Sequence, residues 1–178
     1  MTRYAAFLRG MNLGGRRITN SDLCACFEAL GFADVAAFLA SGNVVFEAEP
    51  EEPEALARRI EEGLETQLGY AVPTFLRTAE EIQAMARHEP FPRGVLDGSS
   101  GKLQVVLLQE APAAADRKAV LALATDQDRL TFAARELYWL PDGPMSQSEL
   151  DLKTIERRLG TTTIRTARTI GRMVAKYF

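Results

Sequence analysis

The chain has 178 residues, 47% hydrophobic and 25% charged, a balance that excludes a disordered or fibrous protein. Its formal net charge of −3 lacks the basic surplus on which non-specific nucleic-acid binding depends. Because no apolar run approaches the roughly 18 residues of a membrane span and no signal-peptide pattern opens the chain, we expect a cytoplasmic protein without a membrane partner.

The first half predicts strands and helices in a ferredoxin-like order, β-α-β-β-α-β. Its predicted elements are a strand at 4–8, a helix at 19–30, hairpin strands at 35–39 and 44–46, a helix carrying Leu56, Ile60, Leu64 and Leu68, a strand at 72–77 and a helix at 78–87. Thr19 with Asp22, and Thr78 with Glu81, are typical of capping boxes at helix starts.

The second half repeats this order after a polar, glycine-bearing segment. Its predicted elements are a strand at 103–108, a helix that follows Pro112 and runs through Val120 and Leu121, strands at 129–132 and 136–140, a helix carrying Leu152, Ile155 and Leu159, and a last helix after Thr161–Thr163. We therefore predict an α+β fold of duplicated ferredoxin-like (βαββα) halves with antiparallel sheets. The predicted halves are residues 1–89 and 102–178, joined by a connecting loop at 90–101.

Two glycine-bearing loops form the predicted ligand site. In a ferredoxin-like sheet the first strand lies antiparallel to the third, so the end of one meets the start of the other. The predicted ligand-binding residues are Arg9, Gly10, Asn12, Gly14, Gly15, Ser41, Gly42 and Asn43, with Arg16 and Arg17 as secondary candidates. Glycines let backbone N–H groups converge on an anion, arginine matches carboxylate or phosphate, and the next helix start adds free donors.

A structural interpretation of the same residues stays open. The glycines would then only permit a tight crossover, Asn43 would stabilise the hairpin, and Arg16 and Arg17 would be solvated charges. The glycine spacing matches neither a Walker motif nor a dinucleotide-binding fingerprint.

The remaining reactive residue types predict no cofactor and no metal site. Cys24 and Cys26 lie two residues apart in a predicted helix, a spacing that suits neither a disulfide nor a zinc pair. His88 is the single histidine, and a histidine-based metal site or catalytic triad would depend on it alone. We expect buried helix cysteines and no chemical role for His88.

The chain resembles the mainly bacterial family called domain of unknown function 1697. The resemblance is carried by Phe7–Gly15 (FLRGMNLGG), Leu30–Phe32 (LGF), Ser41–Phe46 (SGNVVF), and a C-terminal pattern that includes Ser148, Thr163 and Arg165. It implies two related ferredoxin-like halves without an assigned activity, and it makes those last three residues secondary site candidates. Capping of the next helix, by Ser146 with Glu149 or by Ser148 with Asp151, is the structural alternative for Ser148.

Two functions follow from these patterns. The first is an anion site for a phosphorylated or carboxylated small molecule; whether it catalyses a reaction stays open. A fold-level analogy with acylphosphatases would have Arg9 hold a phosphoryl group and Asn43 orient water. The alternative is a non-catalytic module for RNA or a protein partner. Nucleic acid is the less favoured partner because of the net charge, and the pattern defines no oligomeric state.

Overall fold

The structure is a computed structural model that describes residues 1–40 and 42–178, so the predicted site residue Ser41 lies outside the described residues. The elements are, in chain order, β1 (Thr2–Leu8), α1 (Asn20–Ala29), β2 (Ala33–Ala37), β3 (Asn43–Ala48), α2 (Pro53–Leu68), β4 (Thr74–Thr78), α3 (Ala79–Arg87), α4 (Arg93–Gly98), β5 (Gln104–Leu108), α5 (Ala114–Leu121), β6 (Asp128–Ala133), β7 (Glu136–Pro141), α6 (Leu152–Leu159), β8 (Thr162–Thr166) and α7 (Ala167–Tyr177).

Two four-stranded antiparallel sheets have the same strand order. The first sheet runs β2-β3-β1-β4 and the second β6-β7-β5-β8. The pairing register also repeats, because Ala5 pairs with Val45 and Arg77 where Val105 pairs with Tyr138 and Arg165. The α+β class and the duplication are therefore confirmed.

The first sheet packs its helix-facing side chains into one core. Tyr4, Ala6 and Leu8 of β1 alternate toward this core, which also contains Phe27 of α1 and Ile60 of α2. The predicted period of four in α2 is confirmed, since Leu56, Ile60 and Leu64 are fully buried. A smaller core of the same kind lies under the second sheet, around Val106, Leu137 and Trp139.

The chain forms two compact units of similar size, the first of which is made of two separate segments. One unit comprises Met1–Ala84 and Met173–Phe178, and the other comprises Met85–Arg172. Within the first unit, the Arg3 guanidinium donates to the Tyr177 carbonyl at 3.0 Å, and the Gln83 amide donates to the Phe178 backbone oxygen at 3.0 Å. These two hydrogen bonds connect the end of α7 to β1 and α3 of the same unit.

Three parts of the structure differ from the prediction. The strand β8 (Thr162–Thr166) lies where the sequence predicted only the approach to the last helix, because its threonines pair in the ladder with β5. The short helix α4 interrupts the predicted connecting loop at 90–101. Strand β2 ends at Ala37 instead of residue 39, since Leu39 has a left-handed backbone (φ 59°).

The helix starts agree with the predicted caps except at α6. The Thr78 hydroxyl accepts from the Glu81 N–H, and the Glu81 carboxylate accepts from the Thr78 N–H at 2.8 Å, which confirms that capping box. Capping of α6 by Ser148 was wrong, because the Asp151 carboxylate accepts the Thr154 N–H at 2.9 Å. Hydrogen bonds from the Thr154 hydroxyl and from the Thr154 N–H hold the pKa of Asp151 below its usual value. No helix in the described part of the chain is long and apolar enough to span a membrane.

Candidate functional site: the glycine-rich loop after the first strand

The structure places the two predicted loops side by side. Phe7, near the end of β1, pairs with Asn43 at the start of β3, and the Leu8 N–H donates to the Gly42 carbonyl at 2.8 Å. The Asn12 amide donates across the gap to the Ala40 carbonyl at 3.3 Å. The antiparallel pairing of β1 with β3 therefore brings Arg9–Gly15 next to the turn that precedes Asn43, as the topology predicted.

Gly42 is the point where the two loops touch. Its φ of +70° lies in the left-handed region, and a Cβ there would lie 3.1 Å from both the Leu8 carbonyl oxygen and Met11 Cγ. Met11 is 3% exposed and belongs to the core of this half. The glycine thus lets the Met11 side chain anchor the loop against the hairpin.

Asn43 stabilises the hairpin. Its side chain is fully buried, and its amide nitrogen donates to the Phe38 carbonyl at 2.9 Å. The Phe38 N–H donates back to the Asn43 carbonyl at 2.8 Å. The water-orienting role of the acylphosphatase analogy would need an accessible amide, so this geometry agrees with the structural interpretation of Asn43.

The tip of the loop presents its backbone to solvent. Gly10, Gly14 and Gly15 have φ values of 76°, 60° and 82°. The backbone N–H groups of Asn12, Gly14 and Gly15 have no acceptor among the described residues, and all three residues are exposed. Successive unpaired N–H groups in a left-handed turn form the concave donor set that binds anions.

Positive charge surrounds this tip. Residues 9–17 contain three arginines and no acidic side chain. The Arg16 guanidinium stacks on the Tyr70 ring, with Cζ 4.0 Å from the ring centroid, and its Nη1 would lie 3.8 Å from a Cβ at Gly10. Arg17 is exposed, and Arg9 is partly buried with its N–H bonded to the Pro73 carbonyl at 3.0 Å. The stacking holds one of the three charges close to the loop backbone.

The start of α1 contributes less than the sequence predicted. The Thr19 hydroxyl accepts the Asp22 N–H at 3.0 Å and donates to the Asp22 carboxylate at 2.7 Å. This side chain caps the helix and adds a negative charge in its first turn. One donor of the helix terminus is therefore already used, and the Asp22 carboxylate opposes an anion there.

The three secondary candidates of the C-terminal half have structural partners. The Ser148 hydroxyl donates to Asp128 Oδ1 at 2.7 Å, and the Trp139 indole N–H donates to the same oxygen at 2.7 Å. The Arg165 guanidinium donates to the Thr163 hydroxyl at 2.8 Å, and burial lowers the pKa of Arg165 to about 10.

Asp128 is a buried carboxylate that sequence reasoning missed. It is 2% exposed, and its second oxygen accepts from the Thr125 hydroxyl at 3.2 Å. A small cavity of about 90 Å³ lies beside it and Ser148. The sequence could have indicated this contact, because Asp128 is the first residue of one hairpin strand and Trp139 lies in the other. A buried indole N–H needs an acceptor.

The cysteines and the histidine take no part in these clusters. Cys26 is buried in α1 and Cys24 is partly buried, and neither forms a disulfide. Burial raises the pKa of the Cys26 thiol, and the charge of Asp22 raises it further. The His88 ring lies 4.7 Å from the Tyr138 ring. Among the described residues, no three histidine, cysteine, aspartate or glutamate side chains are grouped to hold a metal ion.

Comparisons with known proteins place the chain among relatives without a known activity. The sequence profile of the family described as "Protein of unknown function (DUF1697)" matches residues 1–138. A solved structure, that of the conserved bacterial protein SP0830 from Streptococcus pneumoniae, is similar with a TM-score of 0.75 and 22% sequence identity, over 98% of this chain and 99% of that one. No curated protein sequence matches the chain. At this identity the likeness supports the fold alone.

Proposed function

The chain belongs to the DUF1697 family of proteins of unknown function, and we propose that its glycine-rich loop binds the phosphate or carboxylate group of a small molecule. The observation that carries this proposal is the coincidence of unpaired backbone N–H groups at Asn12, Gly14 and Gly15 with the charges of Arg9, Arg16 and Arg17. Backbone donors fix the position of an oxyanion, and arginines add charge-assisted hydrogen bonds.

The geometry favours an anion that binds at the loop tip and does not contact the side-chain amides of Asn12 and Asn43. Asn12 is tied to Ala40 and Asn43 to Phe38, so these two amides hold the loops together. The anion would then contact the exposed tip, with Arg16 positioned by its stacking on Tyr70. Because guanidinium groups are donors only, this site selects negatively charged groups over neutral ones.

A thermal-unfolding experiment tests the proposal with inorganic phosphate and acetate as probes, each against sodium chloride at equal ionic strength. At about ten times its dissociation constant, a specific anion stabilises the fold by about 1.4 kcal/mol and raises Tm by about 3–5 °C. Stabilisation by phosphate alone would assign a phosphoryl ligand, and stabilisation by acetate alone would assign a carboxylate.

Arginine variants in the loop, compared with a control variant in α2, show whether the anion-dependent rise in Tm comes from the loop. We expect Arg16→Gln and Arg17→Gln each to remove most of the anion-dependent shift. Arg58→Gln, which removes an exposed arginine of α2 with no partner among the described residues, should leave it intact. The proposal fails if neither anion raises Tm, or if the loop variants respond as the Arg58 variant does.

The alternative of RNA binding through a sheet has no support from the burial pattern. Base stacking on a ferredoxin-like sheet needs exposed aromatic side chains, whereas Phe7 of β1 and Phe75 of β4 are fully buried. A filter-binding assay at low salt checks this point, since tight and salt-sensitive retention of RNA would favour the alternative.

A further inference from the structure

A second concave site lies in the C-terminal half, apart from the loops discussed above. It is a cleft of about 240 Å³ between α4, the start of β6 and the end of β7. Its apolar lining includes Val95 and Leu140, the latter only 2% exposed. Pockets for drug-sized ligands occupy roughly 300–1,000 Å³, so this cleft suits a smaller molecule.

One wall of the cleft is tightly built. The Ser99 hydroxyl donates to the Pro141 carbonyl at 2.8 Å and accepts the Gly101 N–H at 3.1 Å. A Cβ at Gly101 would collide with the Pro141 carbonyl oxygen and lie 2.7 Å from that of Gly143. Only glycine allows this approach of two backbones, which fixes the segment after α4 against the end of β7.

The opposite wall is left open by two glycines of α4. Gly94 and Gly98 are four residues apart, so they share one face of the helix, and both line the cleft. A Cβ added at either position would have no atom within 4 Å, and neither glycine has a positive φ. Neither the backbone nor the packing requires glycine here, and its visible effect is to leave the cleft free.

Charges of both signs line the cleft without neutralising each other. Asp126, Asp142 and Arg129 all contribute to the lining. Among the described residues, the side chains of Asp126 and Arg129 form no hydrogen bond and no ion pair. A cation and an anion held apart in one small cleft present partners for a ligand that carries both charges.

We propose that this cleft binds a small zwitterion of the free amino acid type with a short aliphatic side chain. Arg129 pairs with the ligand carboxylate, Asp126 and Asp142 face its ammonium group, and Val95 contacts its side chain. Because the charged residues are solvent-exposed, their contribution is modest, and a dissociation constant on the order of 1 mM follows for such a compact ligand.

The test is an NMR titration of the full chain with L-valine. We expect saturable shifts centred on the amides of Val95, Gly98 and Arg129. Acetate or methylammonium, each carrying half of the charge pattern, should bind at least about tenfold more weakly. Arg129→Gln and Asp126→Asn should each weaken L-valine binding by about fivefold or more, since each removes one charge partner.

The substitution Gly98→Ala is the decisive variant, because it adds a methyl group to the lining of the cleft without a clash or a positive φ. Gly98 is the last residue of α4 and has no positive φ, so alanine is tolerated there. A thermal-unfolding measurement on the variant confirms that a loss of binding does not come from unfolding. Gly171→Ala in α7, where a Cβ also meets no atom within 4 Å, is the matched control. Binding should fall about tenfold in the Gly98 variant and stay unchanged in the Gly171 variant. Unsaturable shifts, shifts centred elsewhere, or equal binding by both variants would overturn the proposal.

Discussion

The two halves have the same sheet and the same register, yet they differ where the first strand of each half ends. Residues 9–19 connect β1 to α1, whereas residues 109–113 suffice to connect β5 to α5. The same hydrogen bond precedes both connections, from Leu8 to Gly42 at 2.8 Å and from Leu108 to Arg135 at 3.0 Å. The longer loop is therefore not needed to close the fold, which supports a ligand-binding role for its additional residues.

The halves also differ inside their cores. Phe46 and Trp139 occupy equivalent register positions, opposite Tyr4 and Gln104. The Phe46 ring packs 4.6 Å from the Phe32 ring, while the Trp139 indole donates to the buried Asp128 carboxylate. One backbone thus accommodates either an apolar cluster or a hydrogen-bonded one, and the second depends on each partner being present.

The largest effect on stability is expected from Asp128→Ala. It leaves the indole N–H of Trp139 and the hydroxyl of Ser148 without their acceptor, at a cost of about 2–4 kcal/mol in the free energy of unfolding. Urea denaturation measures this cost. Asp126→Ala, which removes an exposed carboxylate in the same segment, should change stability by less than about 0.5 kcal/mol. Equal effects of the two variants would show that the Asp128 cluster is dispensable.

A smaller effect is expected at the junction of the two loops. Gly42→Ala places a Cβ 3.1 Å from Leu8 and Met11 at a positive φ, at a cost of about 1–3 kcal/mol. At the equivalent position of the second half, the Arg135 guanidinium donates to the Gln109 carbonyl at 2.9 Å. Arg135→Ala removes this exposed hydrogen bond without adding a steric clash and should cost about 1 kcal/mol. Comparison of the two urea midpoints checks this difference; a harmless Gly42 variant would mean that Met11 does not anchor the loop.

The smallest expected change in the free energy of unfolding concerns a side-chain hydrogen bond that both halves share. The Glu61 carboxylate accepts the Thr74 N–H at 2.8 Å, and the Glu156 carboxylate accepts the Thr162 N–H at 3.2 Å. Glu61→Ala and Glu156→Ala should therefore each cost about 1–2 kcal/mol, because each removes a carboxylate that accepts the first N–H of an edge strand.

Chemical denaturation checks these two costs, with Glu62→Ala on the exposed side of α2 as control. A measurable cost at only one of the two positions would show that the equivalence of the halves stops at the backbone.

Periodic elements could be predicted from the sequence, and short polar ones could not. The apolar repeat of α2 is long enough to define a helix, and antiparallel pairing of β1 with β3 then placed Arg9 beside the turn before Asn43. Strand β8 has three threonines and a largely buried arginine among its five residues, so it lacks the apolar alternation that marks a strand.

Contacts between loop side chains depend on a backbone path that spacing does not encode. The stacking of Arg16 on Tyr70 joins two loops far apart in sequence. The Asp128 cluster likewise assembles residues from two strands and the segment before α6. Neither contact produces a recognisable pattern in the sequence. The capping boxes at Thr78 and Thr19 do, because their two partners lie three residues apart.

The attachment of Met173–Phe178 to the first unit also sets an order of events during synthesis. Residues 1–84 leave the ribosome first, but Arg3 and Gln83 obtain their partners at Tyr177 and Phe178 only after residues 85–172 have been added. At about 5–20 residues per second, this delay lasts roughly 5–20 seconds. Residues 85–172 are synthesised before then. The unit whose synthesis starts first is therefore the unit whose residues are completed last.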